Sequence, residues 1–230
     1  MRRVLAAALL AASLLAVTSS AQAKAPPSGF QVCGPAACVG LHELADAEPL
    51  AIGLFYGADG SAELWSPNVP PGTFYAVHWS FDQGQTHTGY YVPLLNAFRY
   101  VGDVASPTDS ANGRVHWIKL GPDTRTILER ITSTLQPFPA PAPSRVTVGG
   151  KAVQDPASYL RLWSVGKPTY AWPGARFMAI KATCDQPTPW TDAAAHLSVA
   201  RRGPYLLRED TVLRIPAQLA KRIRARLSLH

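Results

Sequence analysis

The chain has 230 residues, of which 47% are hydrophobic and 16% charged, and its formal net charge is +7. This length suits one large or two small domains, and the apolar fraction is enough to bury a core. The low charge and the aromatic content exclude a disordered chain, and the composition excludes collagen and coiled coils. Proline, with 21 residues, is the one excess over average composition.

Residues 1–23 have the organisation of a secretory signal peptide. Arg2-Arg3 precedes the apolar run 4–17, and Ala21-Gln22-Ala23 is a small-x-small cleavage sequence. The apolar run is shorter than the roughly 20 residues that a transmembrane helix needs. We therefore expect a mature chain that begins at Lys24, is secreted to the extracellular space or cell envelope, and keeps no transmembrane span.

Residues 24–135 are predicted to form a first β-rich unit. Alternating faces predict a strand at 73–81, and the turn and loop residues that follow separate further predicted strands at 88–92, 97–101 and 115–120. Gly121-Pro122 predicts the start of a helix, because proline is tolerated at the first helical position. Its apolar face contains Ile127, Leu128, Ile131 and Leu135.

The cysteine spacing predicts a local disulfide near the start of this unit. Cys33 and Cys38 enclose a Gly-Pro turn, and an exported chain meets an oxidising compartment. A redox-active pair would use the closer C-x-x-C spacing at the start of a helix. We therefore predict a structural Cys33–Cys38 disulfide. Cys184 is left as a buried free thiol or as the alternative partner of Cys38.

A proline-rich spacer, residues 136–144, is predicted to separate this unit from a second one at 145–230. Strands are predicted in the second unit at 145–148, 159–165, 176–183, 196–200, 205–208 and 211–215. Pro216 opens a last helix, with Leu219, Ile223 and Leu227 spaced to form an apolar stripe.

The two halves repeat one pattern, which predicts the fold class. In each, a strand ending in arginine (Arg99 or Arg208) is followed by another strand, a proline and an amphipathic helix. We predict an α+β protein, mostly short antiparallel strands, in two related β-rich units that are each closed by a helix.

The chain contains no recognisable catalytic, metal or cofactor motif. His78, Asp82 and His87 are the ligand types that zinc prefers, but a hairpin loop would hold His78 about 10 Å from the other two. Ser164 and Lys167 match S-x-x-K without the partner motifs of penicillin-binding enzymes. We therefore assign no catalytic residue, no metal and no cofactor, and a triad assembled from scattered positions stays open.

Two sets of residues are candidates for binding. Trp65, Trp172 and Trp190 lie among prolines in predicted loops, where we expect exposed rings able to contact a sugar. The other set is the basic end: residues 199–230 contain eight basic and two acidic residues, whereas 24–198 contain twelve and thirteen. On the last helix the basic residues are Lys221, Arg222, Arg224 and Arg226.

The basic end favours anionic partners. An exported protein meets anionic cell-wall polymers and lipid head groups before nucleic acid, so these are the expected partners. The alternative is that basic residues near a helix C-terminus only complement the helix dipole, which requires no ligand.

Four motifs carry a resemblance to a group of uncharacterised secreted proteins of high-GC bacteria. They are C-G-x3-C at Cys33, the proline spacer with R-V-T-V-G-G, D-P-A-S-Y-L-R-L from Asp155, and P-W-T-D from Pro189. The resemblance implies export and the domain layout, and it assigns no activity. We expect a non-enzymatic envelope protein that binds a partner; the alternative is a secreted hydrolase of wall or extracellular polymer with a dispersed active site.

Overall fold

The structure is a computed structural model. It describes Pro27 and residues 29–41, 44–56, 60–64, 67–80, 86–102, 114–169, 176–192 and 195–230. The expected signal peptide, Trp65 and Trp172 lie outside the described residues.

The first unit is built on an antiparallel sheet, here called sheet 1. Its strands are β1 (Gly29–Cys33), β2 (Cys38–Leu41), β3 (Ala62–Leu64), β4 (Tyr75–Ser80), β5 (Thr86–Val92), β6 (Ala97–Gly102) and β7 (Arg114–Lys119). Helix α1 (Leu44–Ala51), which runs into a π-helical turn at Ile52–Tyr56, precedes β3. Helix α2 (Pro122–Thr132) follows β7 and begins at the expected proline.

The second unit is built on sheet 2, which is also antiparallel. Its strands are β8 (Pro143–Val148), β9 (Lys151–Ala152), β10 (Lys167–Pro168), β11 (Phe177–Cys184), β12 (Leu197–Ala200), β13 (Tyr205–Arg208) and β14 (Thr211–Arg214). A 3-10 helix (Ala157–Ser164) precedes β10, and helix α3 (Ala217–Arg224) follows β14.

The two sheets have the same topology in the described part of the chain. Their strand orders are β2-β1-β4-β5-β6-β7-β3 and, read in the same sense, β9-β8-β11-β12-β13-β14-β10. Each unit is therefore a hairpin, a helical segment, an edge strand, a four-stranded meander and a closing helix. The α+β class with two β-rich units, predicted from the sequence pattern, is confirmed.

Each sheet has a front face, covered by the helices of its own unit, and a rear face. On the front of sheet 1, Val77, Tyr91 and Phe98 pack against Leu50 and Leu128 of the helices. The front of sheet 2 packs its own apolar residues against the 3-10 helix and α3. Alternation along the strands sorts the side chains between the two faces.

The second unit covers part of the rear face of sheet 1. Phe74, Tyr90 and Trp117 on this face belong to the same apolar core as the second unit's Trp190 and Trp163. The Trp190 ring lies 6.3 Å from the Trp117 ring and 6.3 Å from the Phe74 ring. The two units therefore share one continuous core.

Two predicted elements differ from the structure. The strand predicted at 159–165 is a 3-10 helix, because Tyr159, Leu162 and Trp163 are spaced to bury one helical face in the core. Helix α3 ends at Arg224, so Leu227 does not continue its apolar stripe and is 44% exposed. Leu229 is buried instead.

The proline-rich spacer is held against the first unit. The backbone N–H of Phe138 donates to the Phe74 carbonyl at 2.8 Å, and Phe74 donates back at 3.3 Å. The two rings stack with centroids 5.1 Å apart. Strand β8 begins at Pro143, within the predicted spacer. The spacer therefore packs against the first unit through Phe138 and continues into the second unit as β8.

Candidate functional site

A buried cluster of charges lies between the two units. The Arg99 guanidinium, on the rear face of sheet 1, donates to both carboxylate oxygens of Asp192 at 2.5 and 3.1 Å. It also donates to Glu209 at 3.3 Å, and the Trp117 indole N–H donates to the other Glu209 oxygen at 3.1 Å. Asp192 and Glu209 belong to the second unit, so this cluster ties the units together.

The charges of the cluster are compensated within it. Burial alone would lower the pKa of Arg99, but the charges of Asp192 and Glu209 and their hydrogen bonds outweigh burial and raise it. Arg99 is therefore a permanent cation, and both carboxylates are held by its guanidinium. A carboxylate pair engaged in this way acts as a structural tie and is not positioned for acid–base chemistry.

A second buried arginine, Arg208, connects the front of sheet 2 to the 3-10 helix. Arg208 donates to the backbone carbonyls of Leu162 and Trp163 in the 3-10 helix, and to Asn68 of the first unit at 3.2 Å. Burial lowers the pKa of Arg208 to about 10, with Glu209 opposing the shift. Arg208 is thus a second structural contact between the units.

The four basic residues predicted on the last helix have different environments. Lys221 is exposed, whereas Arg222, Arg224 and Arg226 are half-buried. Arg222 donates to the backbone carbonyls of Ser228 and His230. Arg224 donates to the carbonyls of Ala200 and Gly203 at 3.2 and 2.9 Å. These arginines therefore hold the chain around α3 in place as well as carrying charge.

The contacts of Arg224 bring α3 against the turn between β12 and β13, which contains Arg201 and Arg202. Arg176, at the start of β11, lies beside this turn because its carbonyl accepts the Arg201 N–H at 2.8 Å. We call the resulting group the basic surface: Arg176, Arg201, Arg202, Lys221 and Arg224. Sequence reasoning missed Arg176, since only strand pairing places it here.

Four of the five acidic residues of the second unit lie away from the basic surface, and the fifth, Asp155, lies near the end of α3. Asp185 and Asp192 follow the far end of β11, and Glu209 and Asp210 form the opposite turn of the meander. Asp155 is paired with His230, Oδ2 to Nε2 at 2.9 Å. At about 3.3 Å per residue, β11 separates Arg176 from Asp185 by about 30 Å, well beyond the Debye length of about 8 Å.

The predicted disulfide is confirmed. Cys33 and Cys38 are bonded across the β1–β2 turn, and Cys184 is a free thiol.

The prediction that Trp190 is exposed is wrong. Its side chain is 2% exposed because it packs between Phe74 and Trp117. Trp190 therefore belongs to the shared core and offers no ring to a ligand.

Among the described residues, no group of three His, Cys, Asp or Glu side chains is placed to hold a metal ion. No helix in that part of the chain is long and apolar enough to cross a membrane. No protein-family model, curated protein or solved structure matches the chain.

Proposed function

We propose that this protein is exported and acts, without catalysing a reaction, as a binding protein for an anionic layer of the cell envelope. The basic surface is the contact, and the ligand chemistry is the repeated negative charge of a wall polymer or of lipid head groups. The observation that carries the proposal is a group of exposed cations, Arg176, Arg201, Arg202 and Lys221, set apart from four of the five acids of the second unit.

The exposed positions of the basic surface support this function. Arg176, Arg201, Arg202 and Lys221 are all exposed, and within the described residues no carboxylate lies within ion-pair distance of any of them. Helix-dipole complementation does not account for Arg176, Arg201 and Arg202, because they lie outside α3. Charges that serve neither an ion pair nor a helix end remain available to an anionic surface.

Three of the four acids at the opposite end are engaged by arginines of the first unit. Asp192 and Glu209 are bound to Arg99, and Asp210 lies 3.8 Å from Arg114 of the first unit. The second unit therefore faces the first unit with its negative end and solvent with its positive end. Such a polar arrangement orients the molecule on an anionic layer.

The test compares two triple variants that each remove three positive charges. One changes Arg176, Arg201 and Arg202 to Gln; the control changes the exposed Lys119, Arg145 and Lys181, which lie elsewhere on the sheets. Each Lys or Arg near an anionic surface contributes about 1 kcal/mol, so the first variant should bind about 100-fold more weakly. The control should stay within about threefold of the wild type, because net charge alone acts weakly at physiological salt.

Binding is measured by co-sedimentation of the leaderless chain with anionic vesicles, neutral vesicles and purified anionic wall polymer, at low and high salt. The vesicle and polymer arms identify the source of the negative charge. Equal losses in the two triple variants, or no binding to any anionic material at low salt, would overturn the proposal.

A further inference from the structure

Part of the rear face of sheet 1 is not covered by any described segment of the chain and has unusual chemistry. Where the second unit covers this face, its residues are apolar, as at Phe74, Tyr90 and Trp117. Towards the β2 edge the same face is polar and is built from two cross-strand rows. Gln31, His78 and Thr88 form one row across β1, β4 and β5, and Gly29, Ser80 and Thr86 form the next.

These rows form a recess of about 330 Å³. Gly29 and Gly40 contribute no side chain, and Gln31, His78, Ser80 and Thr86 line the recess around them. The volume lies near the lower end of the range of about 300–1,000 Å³ for ligand sites. The glycines therefore create the space, and the polar side chains surround it.

His78 is held in a fixed orientation at this recess. Its Nδ1 lies 2.9 Å from the Thr88 hydroxyl, which leaves Nε2 as the ring atom that can contact a ligand. Burial lowers the pKa of His78, so the ring is uncharged at neutral pH. A fixed neutral imidazole offers one hydrogen bond of defined direction.

The side chains that line the recess also determine the class of ligand. None of the described lining residues carries a charge at neutral pH, so these side chains favour an uncharged ligand. An amide, an imidazole and hydroxyls both donate and accept hydrogen bonds, which matches a ligand bearing several hydroxyl groups. The Cα surfaces of the glycines provide a flat contact for C–H groups.

We propose that this recess binds an uncharged, hydroxyl-rich ligand of the size of a sugar ring, with Gln31 and His78 as the hydrogen-bonding side chains. The site is separate from the basic surface, which lies on the second unit. Failure of either proposal leaves the other standing, because different variants and different ligands test them.

The sharpest variant fills the recess without straining the fold. A Cβ at Gly29 would meet only the Ser80 hydroxyl, at the ordinary contact distance of 3.8 Å, so Gly29→Val occupies the space with a side chain suited to a strand. The matched control is Gly72→Val, where a Cβ meets Leu94 at 3.5 Å, away from the recess. Gln31→Ala is a second test, since Gln31 is exposed and its loss does not disturb packing.

Binding is measured by NMR titration of the leaderless chain with three uncharged trisaccharides: maltotriose, cellotriose and chitotriose. At least one should bind the wild type saturably, with perturbed signals at Gln31 and His78. Gly29→Val and Gln31→Ala should each weaken binding about tenfold or more, and Gly72→Val should leave it unchanged within about twofold.

Two results would overturn the inference. One is that none of the three sugars changes the wild-type spectrum, even at the highest concentration used. The other is Gln31→Ala and a folded Gly29→Val both binding as tightly as the wild type. If Gly29→Val fails to fold, Gln31→Ala alone decides between the two outcomes.

Discussion

Arg99 and Asp192, 93 residues apart in the chain, form a two-point salt bridge at the junction of the two units. The guanidinium is fully buried, and its Nε–H donates to Glu209. Removal of the arginine would leave two acids facing each other without a cation in a low-dielectric environment. Arg99 therefore contributes to the stability of the two-unit arrangement by compensating both acids.

Arg99→Met is expected to lower the free energy of unfolding by about 3–5 kcal/mol, because it leaves buried carboxylates without compensation. Urea denaturation measures the loss. Arg125→Met is the control: Arg125 is exposed and pairs with the exposed Glu129 one turn away, so its loss should cost no more than about 0.5 kcal/mol. Adding Asp192→Asn and Glu209→Gln to Arg99→Met should recover part of the stability, and an Arg99→Met protein as stable as the control would contradict the assignment.

The chain end offers a matched pair of leucines. Leu229 is fully buried, and its backbone N–H donates to the Ser158 hydroxyl oxygen at 3.1 Å, whereas Leu227 is 44% exposed. Leu229→Ala should destabilise the protein by about 2–5 kcal/mol through cavity formation. Leu227→Ala should change stability by no more than about 0.5 kcal/mol. Thermal or urea unfolding of the two variants side by side checks this, and equal effects would show that residues 225–230 are not packed as described.

The Cys33–Cys38 disulfide can be tested by the number of reactive thiols and by the stability of a variant that lacks it. Cys33 and Cys38 are bonded, so the oxidised protein, denatured without reductant, should contain one reactive thiol, that of Cys184. Replacing both Cys33 and Cys38 by Ser should cost about 2 kcal/mol, since the closed loop is short. Thiol titration and non-reducing peptide mapping provide the measurements. A peptide that links Cys38 to Cys184 would refute the pairing.

In the folded protein, Cys184 should react slowly with alkylating reagents. Burial raises the pKa of the thiol, Asp185 adds to the shift, and a hydrogen bond with Thr191 opposes it. Because the thiolate is the reactive form, the alkylation rate should rise with pH along a curve displaced to higher pH than that of the urea-unfolded chain. Coincident curves would show that Cys184 is not shielded.

Stability should fall in mild acid through the histidines of β4 and β5. Burial lowers the pKa of His78 and His87 in the folded protein. The unfolded chain then binds more protons below its own histidine pKa of about 6.5, so the free energy of unfolding decreases as the pH falls through that region. Urea denaturation at about pH 7.5 and about pH 5.5 measures the decline. His78→Gln should make it shallower, and the exposed His196→Gln is the control.

Strands whose apolar residues alternate were predictable from the sequence. The segment 73–81 carries the period of two in its own residues, with Tyr75, Val77 and Trp79 on one face, and the structure has a strand at Tyr75–Ser80. The segment 159–165 carries no such signal: a short apolar run fits a strand or a buried helical turn equally well. Packing of Tyr159 and Trp163 into the core selects the 3-10 helix.

The repeat was visible in the sequence, but its register was not. The sequence pattern predicts that Arg99 and Arg208 occupy equivalent positions in the two units. In the structure, Tyr91 pairs with Phe98 on the front of sheet 1, and Val199 pairs with Leu206 on the front of sheet 2. Phe98 thus corresponds to Leu206, and Arg208 corresponds to Tyr100, on the opposite face from Arg99. A shift of one residue moves a side chain to the other face, and only the buried partners determine which face is which.

The sequence by itself determined the α+β class, the two units and the Cys33–Cys38 pairing, because alternation, proline positions and a short loop act over a few neighbouring residues. Only the tertiary structure determined which residues meet at the basic surface, at the junction of the two units and at the recess. Arg176 joins Arg201 through strand pairing, Arg99 meets Asp192 through packing of the units, and Gln31 meets His78 and Thr88 across three strands. These contacts join residues far apart in the chain, and the burial of one shared core, which no local pattern encodes, brings them together.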